Sequence, residues 1–175
     1  MARFVNCNFY KTPLGYETEL SKSLDLLQDS FHVRQTIKSS DSGWKRGKFK
    51  NRLLTELVSD VINEIGDLNE LIYEIREKSQ SDSLDWLLDN FKPLSDSDLL
   101  HKPERLKLYT YDYGSLLRLY GVQLGSNGVI ITGIAIKLVA LMKDSKLLQQ
   151  ELNKMNHLRT WLINHHITDC EHLDL

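Results

Sequence analysis

RLKLYTYDYGSLLRLYGVQLGSNGVIITGIAIK, residues 105–137, is the stretch that decides the fold. RLKLYTYDY alternates and is rich in tyrosine, and LLRLYGVQL and GVIITGIAI follow it. Gly114 and Ser115 mark the first turn; GSNG, Gly125 to Gly128, is the second. β-Branched and aromatic runs between such turn residues predict a three-stranded antiparallel meander. The last run is apolar on both faces, which places it centrally in a sheet and under helices.

Downstream, Asp144 and Ser145 open a final helix with Leu147, Leu148, Leu152, Met155, Leu158, Trp161 and Leu162 on one side. Upstream, residues 95–104 read as a polar connection. Ser81 and Ser83 are N-cap candidates for a short helix carrying Leu84, Trp86, Leu87, Leu88 and Phe91, which Pro93 ends. Leu54, Val58, Val61, Ile65, Leu68, Ile72 and Ile75 alternate spacings of four and three, predicting a long amphipathic helix from about Phe49 to Lys78. Its stripe is wider than a coiled-coil seam, so packing within the domain is expected; a homodimer through this helix is the alternative. RFVNCNFY, residues 3–10, reads as a first strand ended by Pro13 and Gly15. A helix starting near Thr18 follows, with Leu20, Leu24, Leu27 and Phe31 on one face. Residues 32–38 are ambiguous, and Ser39 to Gly43 form a loop. The sum is an α+β domain over 1–175, a small mostly antiparallel sheet packed with helices in the order β-α-α-α-β-β-β-α. Its helical half runs over about 17–92, its sheet and final helix over about 105–165, and a polar tail over 166–175.

The chain has 175 residues, 41% apolar and 26% charged. That length buries roughly 70% of its unfolded surface without a disulfide or metal. No window approaches 18 consecutive apolar residues, so no membrane partner is expected. MARFVNCNFYKTPLGY lacks the apolar stretch of a secretory signal. Cys7 and Cys170 sit at opposite ends, as free thiols of a reducing, cytoplasmic protein would. The net charge of −2 is unevenly spread: residues 32–52 carry seven bases against Asp41 alone, and residues 56–98 carry twelve acids against three bases. With a pI near 6.3, this points to a local polyanion site more than to a polyanion-coated protein. The plainer alternative is a solvated loop beside a solvated helix face.

LRLYGVQLGSNGVIITGIAIK (117–137) followed by MKDSKL (142–147) resembles the C-terminal part of the RelE/HigB-type toxin superfamily, especially its phage-type and mobile-element members. Leu117, Arg118, Leu119 and Tyr120 match its L-R-L/W-Y motif, and Gly125 and Ser126 its turn. Gly133 and Lys137 match the glycine-rich stretch ending in lysine, and Asp144, Lys146 and Leu147 its last motif. Gln123 stands where the family often has arginine, and Gly121 where it usually has cysteine. The resemblance implies a RelE-like fold and a ribosome-associated mRNA endonuclease without a cofactor. It also implies an antitoxin protein as partner and mRNA or the ribosome as target. The second reading keeps the scaffold without catalysis, as an accessory protein that binds another protein.

Metal-free RNA cleavage needs an activated 2′-hydroxyl, a stabilised pentacoordinate phosphate and a protonated leaving oxygen. Arg118, Tyr120 and Lys137 are the catalytic candidates. Arg118 and Tyr120 share a strand face with Leu116, Val122 and Leu124, so a snorkelling arginine and a core tyrosine are the alternatives. Lys107, Tyr109, Tyr111 and Tyr113 would interleave cation and aromatics for RNA, although cross-strand packing is the commoner use. Lys45, Arg46, Lys48, Lys50 and Arg52, beside Trp44 and Phe49, are the expected phosphate contacts, with a solubilising helix start as the alternative. His165, His166, Asp169, Cys170 and His172 lie close together without the spacing of a zinc site, and no metal is expected. No nucleotide-phosphate, dinucleotide, zincin or serine-hydrolase motif occurs.

Overall fold

The computed structural model describes residues 3–6, 9–12, 15–40, 45, 47, 49–80, 90–95, 103–109, 114–125, 128–169 and 172. In chain order they form β1 (Arg3–Asn6), β2 (Phe9–Thr12), β3 (Gly15–Thr18), α1 (Glu19–Gln28), α2 (Ser30–Ser39) and α3 (Leu54–Gln80). Next come β4 (Phe91–Pro93), β5 (Arg105–Tyr109), β6 (Leu117–Leu124), β7 (Gly128–Ile136) and α4 (Lys146–Asn164). This is an α+β fold. Five strands make one sheet in the order β1-β7-β6-β5-β4. Every pair is antiparallel except β1 with β7.

The expected meander is β5-β6-β7, and its last two strands are buried along their whole length. One face packs on α1, α2 and α3, with Leu117, Leu119, Val129 and Ile131 meeting Leu27, Ile37, Val61 and Leu68. The other packs on α4, with Tyr120, Val122 and Leu124 meeting Leu148, Met155 and Leu162. A bulge interrupts β7. The register steps from Tyr120↔Gly133 to Gly121↔Ile131, leaving Thr132 unopposed. The extra residue flips the side-chain parity. Val129 and Ile131 before it, and Ile134 and Ile136 after it, therefore reach the same core.

Helix starts follow the capping rules. Thr18 accepts from the Ser21 N–H, and Ser145 from the Leu148 N–H, each satisfying a donor the helix itself cannot. Asp29 accepts from the Phe31 N–H. That cap splits the single expected helix at its end, and the ambiguous residues 32–38 become α2. Two strand expectations are also corrected. The first strand stops at Asn6, and residues 9–12 pair with 15–18 as a separate hairpin. Phe91, expected in a helix, lies in β4, with Pro93 opposite Leu106; β4 is an edge, where proline's missing N–H is tolerated. Residues 81–89 of that expected helix lie outside the described residues. The long helix begins at Leu54 rather than Phe49, because Phe49 closes a turn with Arg52 and is buried.

Candidate functional site

A cleft of about 310 Å³ opens beside the ends of β5, β6 and β7. Gly47 and Phe49 line it from the basic segment, Tyr109 from β5, Arg118 from β6, and Lys137 to Ala140 from the chain leaving β7. The sheet register makes this convergence. Tyr109 is the direct cross-strand partner of Arg118, which is in turn the partner of Ala135, two residues before Lys137. Residues two apart on a strand share a face.

Arg118 is 4% exposed, so it is not a snorkelling surface residue. Its guanidinium donates to the Ser115 carbonyl at 2.8 Å and to the Leu117 carbonyl, and lies over the Tyr109 ring at 4.1 Å from the centroid. Burial pulls its pKa below the ordinary arginine value, opposed by Tyr109, Tyr120 and Glu64. Arginine starts so high that the charge survives at any physiological pH. The cleft thus contains a permanent cation that is desolvated and held in place, with half-buried Lys137 beside it.

Glu64 of α3 positions this arrangement. Its carboxylate accepts from the Ser115 hydroxyl at 2.7 Å, the Leu116 N–H at 2.8 Å and the Leu117 N–H at 2.9 Å. The strand entry whose carbonyls hold Arg118 is therefore tied to the long helix.

The other expected site residues divide. Tyr120 is 1% exposed and packs in the α4-side core; burial drives its pKa far up, so its phenol stays protonated. It is a core tyrosine and does not line the cleft. Lys107 reaches the Leu94 carbonyl at 3.3 Å and lies 5.9 Å from the Tyr109 ring centroid. Arg52 pairs with Glu56 at 2.9 Å and Asp60 at 2.7 Å at the start of α3. There the Leu53 N–H and Arg52 hold the Glu56 carboxyl below its usual range. That is the helix-start role given above as the alternative. Lys45 and Lys50 are exposed on either side of Gly47 and Phe49. Arg46, Lys48 and Tyr111 lie outside the described residues.

Sequence reasoning missed Glu64, which looks like any solvated glutamate on a charged helix. It also missed a buried cluster beside Gly133 of β7. Glu151 is 7% exposed and accepts from Lys154 at 2.8 Å, and the same ammonium reaches Glu19 at 3.3 Å. A signal existed there, because Glu151 falls on the apolar stripe between Leu148 and Met155. At the C-terminus, His165 stacks on Trp161 and contacts its carbonyl at 2.9 Å. Among the described residues no group of three or more His, Cys, Asp or Glu is placed to hold a metal ion, and no helix is long and apolar enough to cross a membrane.

No known protein family, curated protein or solved structure matches the chain.

Proposed function

We propose that this protein binds RNA through the Arg118–Tyr109–Lys137 cleft, as a RelE/HigB-like protein directed at mRNA on the ribosome. One observation carries the reading. A desolvated arginine, a tyrosine ring and a lysine, which come from three separate strand ends, converge on one cleft, and the exposed Lys45 and Lys50 belong to the chain segment whose Gly47 and Phe49 line it. Fixed cations bind phosphate oxygens, and aromatic faces accept splayed bases of any sequence. The resemblance of residues 117–147 to the toxin superfamily supplies the ribosomal mRNA target and an antitoxin partner.

A second reading, binding without cleavage, has its own support. Tyr120 is sealed in the core, and Arg118 spends donors on two backbone carbonyls. Lys137 and Tyr109 are then the groups left in the cleft to move protons. Tightly induced expression in a bacterial host, with primer extension on a reporter mRNA, separates the two. Growth arrest with new cuts at codon positions supports the endonuclease. Intact mRNA with retained RNA binding by the purified protein supports the binder. Absence of both cuts and binding overturns the proposal.

A further inference from the structure

We propose that the cleft continues as a cationic track along the α4-side face of β5 and β4, and that this track holds the sugar-phosphate backbone of an unpaired RNA strand. This deepens the RNA reading and rests on it.

The sheet register builds the track. Leu106 and Leu108 turn into the core under α1, α2 and α3, so Arg105, Lys107 and Tyr109 stand on the other face of β5. Directly opposite residues of an antiparallel pair share a face. Lys92 of the edge strand β4 is the partner of Lys107, and Tyr109 is the partner of Arg118 in the cleft. Arg105 donates to the Asn156 side chain of α4 at 2.9 Å, and Arg159 lies about one helical turn beyond Asn156. The row runs from Arg159 past Arg105 and Lys107, with Lys92 alongside, to Tyr109 and the cleft. It covers roughly 14 Å along β5 alone. Among the described residues, no Asp or Glu lies on this face of β4 or β5.

Two observations on this face call for an anion. Lys92 and Lys107 are like charges in direct cross-strand register, an arrangement that costs stability. Lys92 is exposed, and the Lys107 ammonium reaches the Leu94 carbonyl and the Tyr109 ring rather than a carboxylate. Arg159 is half-buried, and its Nε is buried without a hydrogen-bond partner. A polyanion laid along the strand offsets the repulsion and gives the Arg159 guanidinium a counter-charge. Two further features select an RNA strand over an acidic protein segment. Side chains on one strand face repeat at about 6.8 Å, which suits successive phosphates of an extended strand. Tyr109 then interrupts the cations with an aromatic ring, the group on which unpaired bases stack. The other side of the sheet opposes such a ligand, because α3 turns Glu56, Asp67, Glu70, Glu74 and Glu77 to solvent there. A net charge of −2 therefore coexists with a local field that draws RNA to the α4 side.

The test is fluorescence anisotropy on the full chain with two labelled oligouridylates, one of four nucleotides and one of twelve, each titrated against salt. The short probe fills the cleft, and the long one reaches along the track. The long probe should bind at least about tenfold more tightly. Lys92→Gln and Arg159→Gln should each weaken the long probe several-fold and flatten its salt slope by about 0.7, with the short probe unchanged. Lys137→Ala, in the cleft, should weaken both probes. Equal affinity for the two lengths would overturn the track, and so would Lys92 and Arg159 variants that leave the long probe unchanged or weaken both probes alike. The cleft reading then stands or falls separately, on whether Lys137→Ala still weakens the short probe. A polyglutamate of matched charge that binds as tightly as the long probe would give the surface to an acidic protein segment and overturn the proposal too.

Discussion

Tyr109 and Arg118 face each other across β5 and β6, with the guanidinium carbon 4.1 Å from the ring centroid. A cation over a tyrosine face contributes about 0.5–2 kcal/mol, more when desolvated. The pair organises the cleft, because the ring fixes the charge on one side and the Ser115 and Leu117 carbonyls fix it on the other.

Arg118→Ala removes those donors and leaves buried carbonyls unsatisfied. A loss of about 2–3 kcal/mol is expected, read as a lower urea midpoint at unchanged slope. Arg118→Lys keeps the charge but loses the fork, and should fall between Ala and the parent. Equal stability of all three would mean the buried bonds contribute nothing.

Glu64 holds the strand entry that holds Arg118. Glu64→Gln keeps the volume but replaces one acceptor oxygen with a donor, facing the three donors of residues 115–117. Hydrogen bonds to a charged acceptor contribute roughly 1.5–3 kcal/mol. The variant should lose about 1–2 kcal/mol in urea unfolding, and the Leu116 and Leu117 amides should exchange faster. Unchanged exchange at both amides would separate Glu64 from this turn.

Two glycines should respond with opposite sign. Gly66 lies on the exposed side of α3 with nothing within 4 Å of a built Cβ. Gly66→Ala should stabilise by about 0.5–1 kcal/mol through helix propensity. Gly121 sits beside the bulge, where a Cβ would lie 2.8 Å from the Ile130 carbonyl oxygen and 2.8 Å from Val129 Cγ1. Gly121→Ala should cost about 2 kcal/mol or more, because the obstacle is backbone. Thermal midpoints of the two variants moving in the same direction would contradict the bulge geometry. This crowding also gives a physical reason for glycine where the resembled family usually carries cysteine.

The meander, the caps at Thr18 and Ser145, and the long apolar stripe of α3 were legible because each is a local pattern. The bulge was not. No residue between Gly128 and Ile136 announces that Thr132 is unopposed, and the strand looks equally apolar in either parity. Asp29 capping a second helix was also hidden, since apolar spacing runs on to Phe31. The cleft was half legible. Arg118, Tyr109 and Lys137 were singled out, but strand parity alone could not place Tyr120 under α4, nor Arg52 on Glu56 and Asp60.

Burial raises the Glu151 pKa, with Lys154 opposing it. An acid whose folded pKa is raised binds its proton more tightly in the native state. Its favourable contribution is therefore present below the unfolded pKa and fades as pH rises through the folded one. The parent should lose stability relative to Glu151→Gln as pH climbs upward from the ordinary carboxylate range. Urea midpoints from pH 4 to 8 check the sign, and a parent that gains on the variant over that window would reverse it.

The most direct test of the RNA reading is fluorescence anisotropy of a labelled single-stranded RNA against salt. The parent should bind with an affinity that falls linearly in log[salt]. Lys137→Ala should weaken binding and flatten the slope by about 0.7, the share of one phosphate contact on a single strand. Tyr109→Leu should weaken binding by about 1–3 kcal/mol, the worth of a stacked base, at unchanged slope. No binding by the folded parent at low salt, or identical curves for the parent and both variants, would contradict the assignment of this cleft to RNA.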